Sequence, residues 1–273
     1  MGPVFIAVGI LCAIAAVCAL LLVIASKYMA VPVDEKVESI RACLPGANCG
    51  ACGYAGCDNY AAELAAGHEE KTNKCIPGGD KVAANIASIL GLEAEDVVEH
   101  VAIVRCKGDC NTTSYKEEYQ GIESCAAANL LFGGEKLCTF ACLGYGDCAR
   151  VCPQSAITII DGLAHVDPRK CIGCGLCTRE CPNHVIDIVP DTIRTVVTCS
   201  NTLPGAQVRS ACKKGCIGCK KCERECPAGA ITVKDNLSHI DYDKCQNCGH
   251  CQEICPTGAI VEADFMSATH FSA

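Results

Sequence analysis

The sequence predicts a small α+β architecture: a single membrane-spanning helix followed by a small cysteine-rich domain and a tandem duplicated module. Three observations predict it. An uncharged apolar run opens the chain. Cysteine is unusually dense, 28 in 273 residues. Nine of those cysteines recur in one register 74 residues further on, each set flanked by short apolar stretches of strand length.

The opening element is residues 2–26, GPVFIAVGILCAIAAVCALLLVIAS, which carry no charge. At about 1.5 Å per residue a helix of that length crosses a hydrocarbon core of about 30 Å. A cleaved signal peptide has a shorter apolar region behind a basic start, and no Lys or Arg precedes this run. The expectation is therefore an uncleaved transmembrane anchor over 1–27. Lys27, Lys36 and Arg41 follow it, which by the positive-inside rule places the body on the cytoplasmic side of the inner membrane. Reduced thiols persist there. Cys12 and Cys18, inside the span, read as small apolar helix residues rather than ligands.

Composition narrows the body. Disulfide scaffolds of this cysteine density are short and secreted, whereas this chain is long and many of its cysteines stand three positions apart. There is no Trp and only 4% of residues are aromatic, so inorganic groups would have to fill and cross-link the interior. A formal charge of −8, from 23 basic and 31 acidic residues, argues against nucleic-acid binding.

Residues 28–40 read as a linker and 41–101 as a small domain ending in one or two amphipathic helices with Gly91 between them. The first module spans 102–190 and the second 191–273. Cys125, Cys138, Cys142, Cys148, Cys152, Cys171, Cys174, Cys177 and Cys181 map by the 74-residue shift onto Cys199, Cys212, Cys216, Cys222, Cys226, Cys245, Cys248, Cys251 and Cys255. Pro153 maps to Pro227 and Pro182 to Pro256. One position breaks the pattern: Cys219 corresponds to Tyr145. Cys106 and Cys110 have no mates.

Three stretches, from Cys171, Cys216 and Cys245, read C-x2-C-x2-C-x3-C-P. This is the run of bacterial ferredoxins: three thiolates wrap one 4Fe–4S cube and the fourth, before Pro, ligates its neighbour. Zinc favours two C-x2-C pairs and fits the triplets badly. The spacing therefore predicts ferredoxin-like modules. One cluster takes Cys216, Cys219, Cys222 and Cys255; its partner takes Cys245, Cys248, Cys251 and Cys226. A third takes Cys171, Cys174, Cys177 and Cys152. The fourth has Cys142, Cys148 and Cys181, but Tyr145 where its last ligand belongs.

The surplus cysteines admit more than one assignment. Cys125, Cys138, Cys199 and Cys212 could hold a cluster between the modules, with Cys106 or Cys110 filling the gap at Tyr145. Alternatively Cys138 fills the gap and Cys106, Cys110 and Cys125 join a downstream cysteine. Zinc or free thiols are the bland reading. In the small domain, Cys49, Cys52 and Cys57 stand among Gly50, Gly53 and Gly56, and Cys75 offers a fourth thiolate. Zinc rivals iron there on spacing alone. Cys43 is a spare thiol. Five clusters are expected, and a sixth if the surplus cysteines join.

Other residues carry less. His165 and His239 read as strand or surface residues. Lys213, Lys214, Lys220, Lys221 and Arg224 surround one cluster run; solvated lysines are the default, and steering of an acidic electron carrier is the functional reading. No phosphate loop or flavin-attachment signature is present.

The stretch LPGANCGACGYAGC, continuing to NKCIPGG, lies behind a single anchor and ahead of tandem ferredoxin runs. Together these resemble the membrane-anchored iron–sulfur subunit of the Rnf family of ion-translocating ferredoxin:NAD oxidoreductases, in its long polyferredoxin form. The resemblance covers nearly the whole chain. It implies that Cys49, Cys52, Cys57 and Cys75 ligate the first cluster. It also implies that ferredoxin donates electrons, and that they pass to flavin-bearing membrane subunits and an NAD-reducing subunit while Na⁺ or H⁺ is pumped. No bond chemistry is expected of this chain itself. A wiring subunit of a hydrogenase or dehydrogenase, and a structural zinc scaffold, are the competing readings.

Overall fold

The computed structural model describes residues 12, 14–24, 34–93 and 96–265. Much of the expected anchor lies outside the described residues. Its described part, 12 and 14–24, is helical and exposed. Among the described residues no helix is long and apolar enough to cross a membrane.

The small domain is three helices around one core. The first, Glu35–Cys43, begins inside the stretch read as linker, because Asp34 caps it by accepting from the Lys36 amide at 2.9 Å. The second, Cys57–Ala65, buries Cys57, Tyr60, Ala61 and Leu64, one face at helical spacing. The third, Gly79–Leu90, buries Ala83, Ile86 and Ala87 and stops at Gly91, whose φ of 70° only glycine adopts freely. Ile40, Tyr60, Leu64 and Ile86 meet at the centre, each 0–1% exposed. Of the one or two helices expected between Asp80 and Val101, the described residues form Gly79–Leu90, and the chain enters a strand at His100.

That strand, β1 (His100–Val104), opens the first module. It is followed by β2 (Ile157–Ile160), β3 (Leu163–Val166), β4 (Ile186–Pro190), β5 (Thr195–Val197), β6 (Ile231–Lys234), β7 (Leu237–Ile240) and β8 (Ile260–Glu262). They form antiparallel pairs: β2 with β3 and β6 with β7 as hairpins, β1 with β4 and β5 with β8 across long connections. The hairpin turns sit at Asp161–Gly162 and Asp235–Asn236, all with positive φ, the turn type that matches strand twist. Val104, Val166, Val185 and Ile186 centre the first module; Val197, Ile231, Leu237 and Ile260 centre the second.

The long pairs fix a correspondence that the sequence hides. Val104 pairs with Ile186, and Val197 pairs with Ile260, the position 74 residues beyond Ile186. Val104 is thus the structural counterpart of Val197. Two residues on, Cys106 is the counterpart of Cys199. Cys125, which shares the 74-residue register with Cys199, belongs instead to a segment that has no equivalent in the second module.

Candidate metal centre

Four small cavities are each lined by four cysteines. We number the cysteine sets by spatial neighbourhood. Cys152, Cys171, Cys174 and Cys177 line site II, the set the spacing predicts. Cys216, Cys219, Cys222 and Cys255 line site V, again as predicted.

Site III holds Cys142, Cys148 and Cys181, and its fourth cysteine is Cys125. Neither sequence-based assignment of the gap places Cys125 there. The reason is local. Cys125 opens a short helix, Cys125–Leu130, capped by Ser124. The Ser124 hydroxyl and the Ala126 amide donate to Asp147 at 2.9 and 3.0 Å, pinning the helix beside Cys148. Burial works against the Asp147 carboxylate, but amides of Ala126 and Cys125, the Ser124 hydroxyl and Arg150 outweigh it and hold its pKa below the ordinary value. Tyr145 packs edge-on against Tyr119, ring centroids 5.5 Å apart, in the small core that Cys125 shares. Gly144, at φ 83°, lies so close to the β2–β3 turn that a Cβ there would meet the Gly162 carbonyl at 2.5 Å.

Site IV lies between the modules, lined by Cys106, Cys138, Cys199 and Cys212. It joins the structurally equivalent pair Cys106 and Cys199 to the repeat pair Cys138 and Cys212. The structure thus brings together three of the four cysteines expected between the modules, with Cys106 in the place of Cys125. Gly108 and Cys142 amides donate to Cys106 Sγ at 3.3 and 3.4 Å, and Asn201 Nδ2 donates to Cys138 Sγ at 3.3 Å. The modules meet through backbone as well: Thr113 bridges Cys212, Ser114 N donates to Ala211 O at 3.0 Å, and Lys213 N to Thr112 O at 3.0 Å.

The other two sets are seen through their buried thiols. In site I, burial pushes the Cys75 thiol up to about 11, with Cys52, Cys57 and Cys49 adding to it. In site VI, burial pushes Cys251 up to about 11, with Cys245, Cys248 and Cys226 among its neighbours. Burial likewise drives Cys106, Cys148 and Cys177 to about 12. Such thiols stay protonated until a cation replaces the proton, so loading these sites releases protons.

Of the 28 cysteines, the six sets leave out Cys12, Cys18, Cys43 and Cys110. Cys110, a candidate ligand by sequence, is exposed and lines none of the four cavities. His165 lies in β3 and His239 in β7, as expected of strand residues. Backbone amides face sulfur at matching repeat positions, Ala156 N to Cys152 Sγ at 3.3 Å and Ala230 N to Cys226 Sγ at 3.4 Å. Such bonds stabilise thiolate charge on a cluster.

Each cavity gathers thiols as a 4Fe–4S cube takes them, three from one run and a fourth from elsewhere in the chain at sites II and V. The donor set, the spacing and the sulfur-facing amides thus fit 4Fe–4S clusters.

Neighbouring sets touch in sequence. Arg179, in the helix carrying Cys177, donates to the Cys49 carbonyl, and Cys174 feels the Cys49 charge, which joins sites I and II. Cys148 and Cys177 lie in one core, which brings II beside III, and the Cys142 amide donates to Cys106 Sγ at 3.4 Å, which brings III beside IV. Cys199, Cys222 and Cys251 share the second module's core, which brings IV, V and VI together.

Comparison with known proteins agrees with this chemistry. Residues 44–77 match a family described as a putative Fe–S cluster, 164–187 a 4Fe-4S binding domain, and 215–259 a 4Fe-4S dicluster domain. The chain is 42% identical over 247 residues to a subunit of the Na(+)-translocating ferredoxin:NAD(+) oxidoreductase complex of Acetobacterium woodii, covering 90% of this chain and 74% of that one. It is 41% identical over 246 residues to the counterpart from the proton-translocating complex of Clostridium ljungdahlii, covering 90% and 87%. It is 38% identical over 226 residues to the equivalent subunit of the ion-translocating oxidoreductase complex of Methanosarcina acetivorans, covering 82% and 85%.

Proposed function

From a chain that belongs to this one subunit family of Rnf-type ion-translocating ferredoxin:NAD oxidoreductases, we propose a wire of six 4Fe–4S clusters that carries electrons from ferredoxin toward the other subunits of that complex. The observation that carries this reading is that four cavities are each lined by four cysteines, one of them set between the two modules. Site I takes Cys49, Cys52, Cys57 and Cys75 as ligands, and sites II to V take the cysteines that line their cavities. Site VI takes Cys226, Cys245, Cys248 and Cys251. Site IV makes the succession continuous, because without it the two modules would be separate pairs of centres.

The clusters supply one-electron chemistry when bound. The protein spaces them, buries them and sets their potentials through amides and charges. No substrate bond is made or broken by this chain.

Electrons enter at the second-module end. Cys219 and Cys248 are exposed there, and Lys213, Lys214, Lys220 and Arg224 lie exposed on the same segment. A basic face beside an exposed corner of site V suits an acidic donor such as ferredoxin. They leave at site I, beside the helix Glu35–Cys43 that follows the amino-terminal segment. That segment anchors the chain with a single transmembrane helix, the body on the cytoplasmic side, next to flavin-bearing and NAD-reducing subunits. The uncharged run of residues 2–26 supports this placement.

The test mixes the full chain, loaded with iron and sulfide without oxygen, with reduced ferredoxin, and follows bleaching of cluster absorbance at low and high salt. Rapid reduction that slows as salt rises is the expected result. No reduction of an iron-replete protein would refute ferredoxin as the direct donor.

A further inference from the structure

Lys136 is fully buried, at 0% exposure. Its Nζ donates to the carbonyl oxygens of Gly108 and Gly162, each at 2.8 Å. The backbone on both sides is fixed: Lys116 N donates to Glu135 O at 2.9 Å, and Leu137 N to Ser114 O at 2.7 Å. The two oxygens that hold the ammonium are neutral carbonyls, not carboxylates. A buried cation held by dipoles is costly to maintain unless negative charge stands near it.

Loaded with clusters, the neighbouring cysteine sets supply that negative charge. The Gly108 peptide that accepts from Lys136 donates its own amide to Cys106 Sγ at 3.3 Å. The Gly162 turn lies against Gly144, on the loop that follows Cys142. Cys138 stands two residues beyond Lys136, and the Cys142 amide donates to Cys106 Sγ at 3.4 Å, so the ammonium lies beside both sets. Cys142 belongs to site III, and Cys106 and Cys138 to site IV. The position 74 residues on is Ser210, which is exposed. The buried cation thus belongs to one of two otherwise duplicated modules.

On the reading of sites III and IV as cluster sites, we propose that Lys136 is their shared countercharge and holds both at higher reduction potentials than the same sites would have without it. A cluster with four thiolates is net negative, and reduction adds one electron to it. A fixed cation therefore favours the reduced form over the oxidised one. Lys136 gives up no proton and takes no electron. The consequence is a resting place for electrons in the middle of the wire, at the junction of the modules.

The test is potentiometry followed by electron paramagnetic resonance on the full chain, loaded without oxygen, with iron counted in each sample. Lys136→Gln keeps a donor for the carbonyls and removes the charge; Lys136→Arg keeps the charge. With iron complete, Lys136→Gln is expected to lower two of the six midpoints. The expected size is about tenfold in the reduction equilibrium, or about 59 mV for one electron. Lys136→Arg is expected to leave them near the wild-type values. Iron lost from two sites in Lys136→Gln but kept in Lys136→Arg also supports a countercharge. Complete iron with every midpoint unmoved in Lys136→Gln overturns the proposal, as does equal iron loss in both variants, which would make Lys136 a strut. Failure of the underlying reading looks different: Cys138→Ser and Cys142→Ser would then lose no iron at all.

Discussion

The exchange of Cys106 for Cys125 can be read out by counting iron. Six sites predict about 24 irons per chain, so loss of one site removes about four, roughly one sixth of the iron and of the cluster absorbance. Cys106→Ser, Cys199→Ser and Cys125→Ser should each lose that sixth. The pairs then separate the assignments. Cys106 and Cys199 line one cavity, so the double variant should lose no more than either single one. Cys125 lines another, so Cys106→Ser with Cys125→Ser should lose about one third. This is a double-mutant cycle with iron as its readout, and strong non-additivity marks a shared site. The seam should survive loss of site IV, since Ser200 Oγ to Arg105 O at 3.1 Å and the Thr113–Cys212 bridge hold it independently. Iron measured by mass spectrometry on folded, monodisperse protein is the assay. If Cys125→Ser and Cys199→Ser proved non-additive while Cys106→Ser and Cys199→Ser added, the assignment of Cys106 to site IV would be refuted.

Further outcomes follow from the same contacts. Cys43→Ser and Cys110→Ser should leave the iron content at the wild-type value, because both stand outside the six sets. Asp147→Ala strands the Ser124 hydroxyl and the Ala126 amide on a nearly buried carboxylate site; it should cost about 2–3 kcal/mol by thermal unfolding and release iron from site III first. Arg179→Ala removes the bond to the Cys49 carbonyl and should slow reduction of site I severalfold in rapid-freeze experiments, with sites II to VI unaffected. Glu69 pairs with Lys74 and accepts from Tyr54 and the Lys71 amide, which hold its pKa at about 2 against an ordinary 4.5. A carboxylate depressed in this way stabilises the fold above about pH 4.5, and that contribution is lost as pH falls toward 2. Melting temperatures between those pH values should therefore fall less steeply in Glu69→Gln than in wild type, and parallel curves would show the pairing to be inconsequential.

The ferredoxin runs were legible because ligand and spacer are contiguous. Sites II and V assemble as the motif from Cys171 and from Cys216 implies, and Cys152 and Cys255 cross over as expected. The small domain was legible for the same reason from Cys49 to Cys57. Sites III and IV were not, because their fourth ligands are chosen by strand pairing and by a capped helix. Cys125 falls in the 74-residue register by position, yet residues 199–204, 74 positions beyond the helix it opens, are not helical. Cys106 falls outside that register, yet the pairing of β1 with β4 makes it the counterpart of Cys199. One signal was available: Val-Arg-Cys after β1 and Val-Thr-Cys after β5 both follow apolar runs, an equivalence that cysteine spacing alone obscures. The helix Glu35–Cys43 was similarly hidden, since Asp34 followed by Glu35 and Glu38 is a helix start that reads as a charged linker when taken for composition.

The seam between the modules has an electrical meaning. Duplicating a two-centre unit yields two short conductors with a gap between them; a centre shared by both halves closes that gap without lengthening either. Conduction through sites in single file is a series circuit. The slowest hop then governs the whole current, and damage to any centre between the entry and the exit opens the line, with no parallel branch to carry the load.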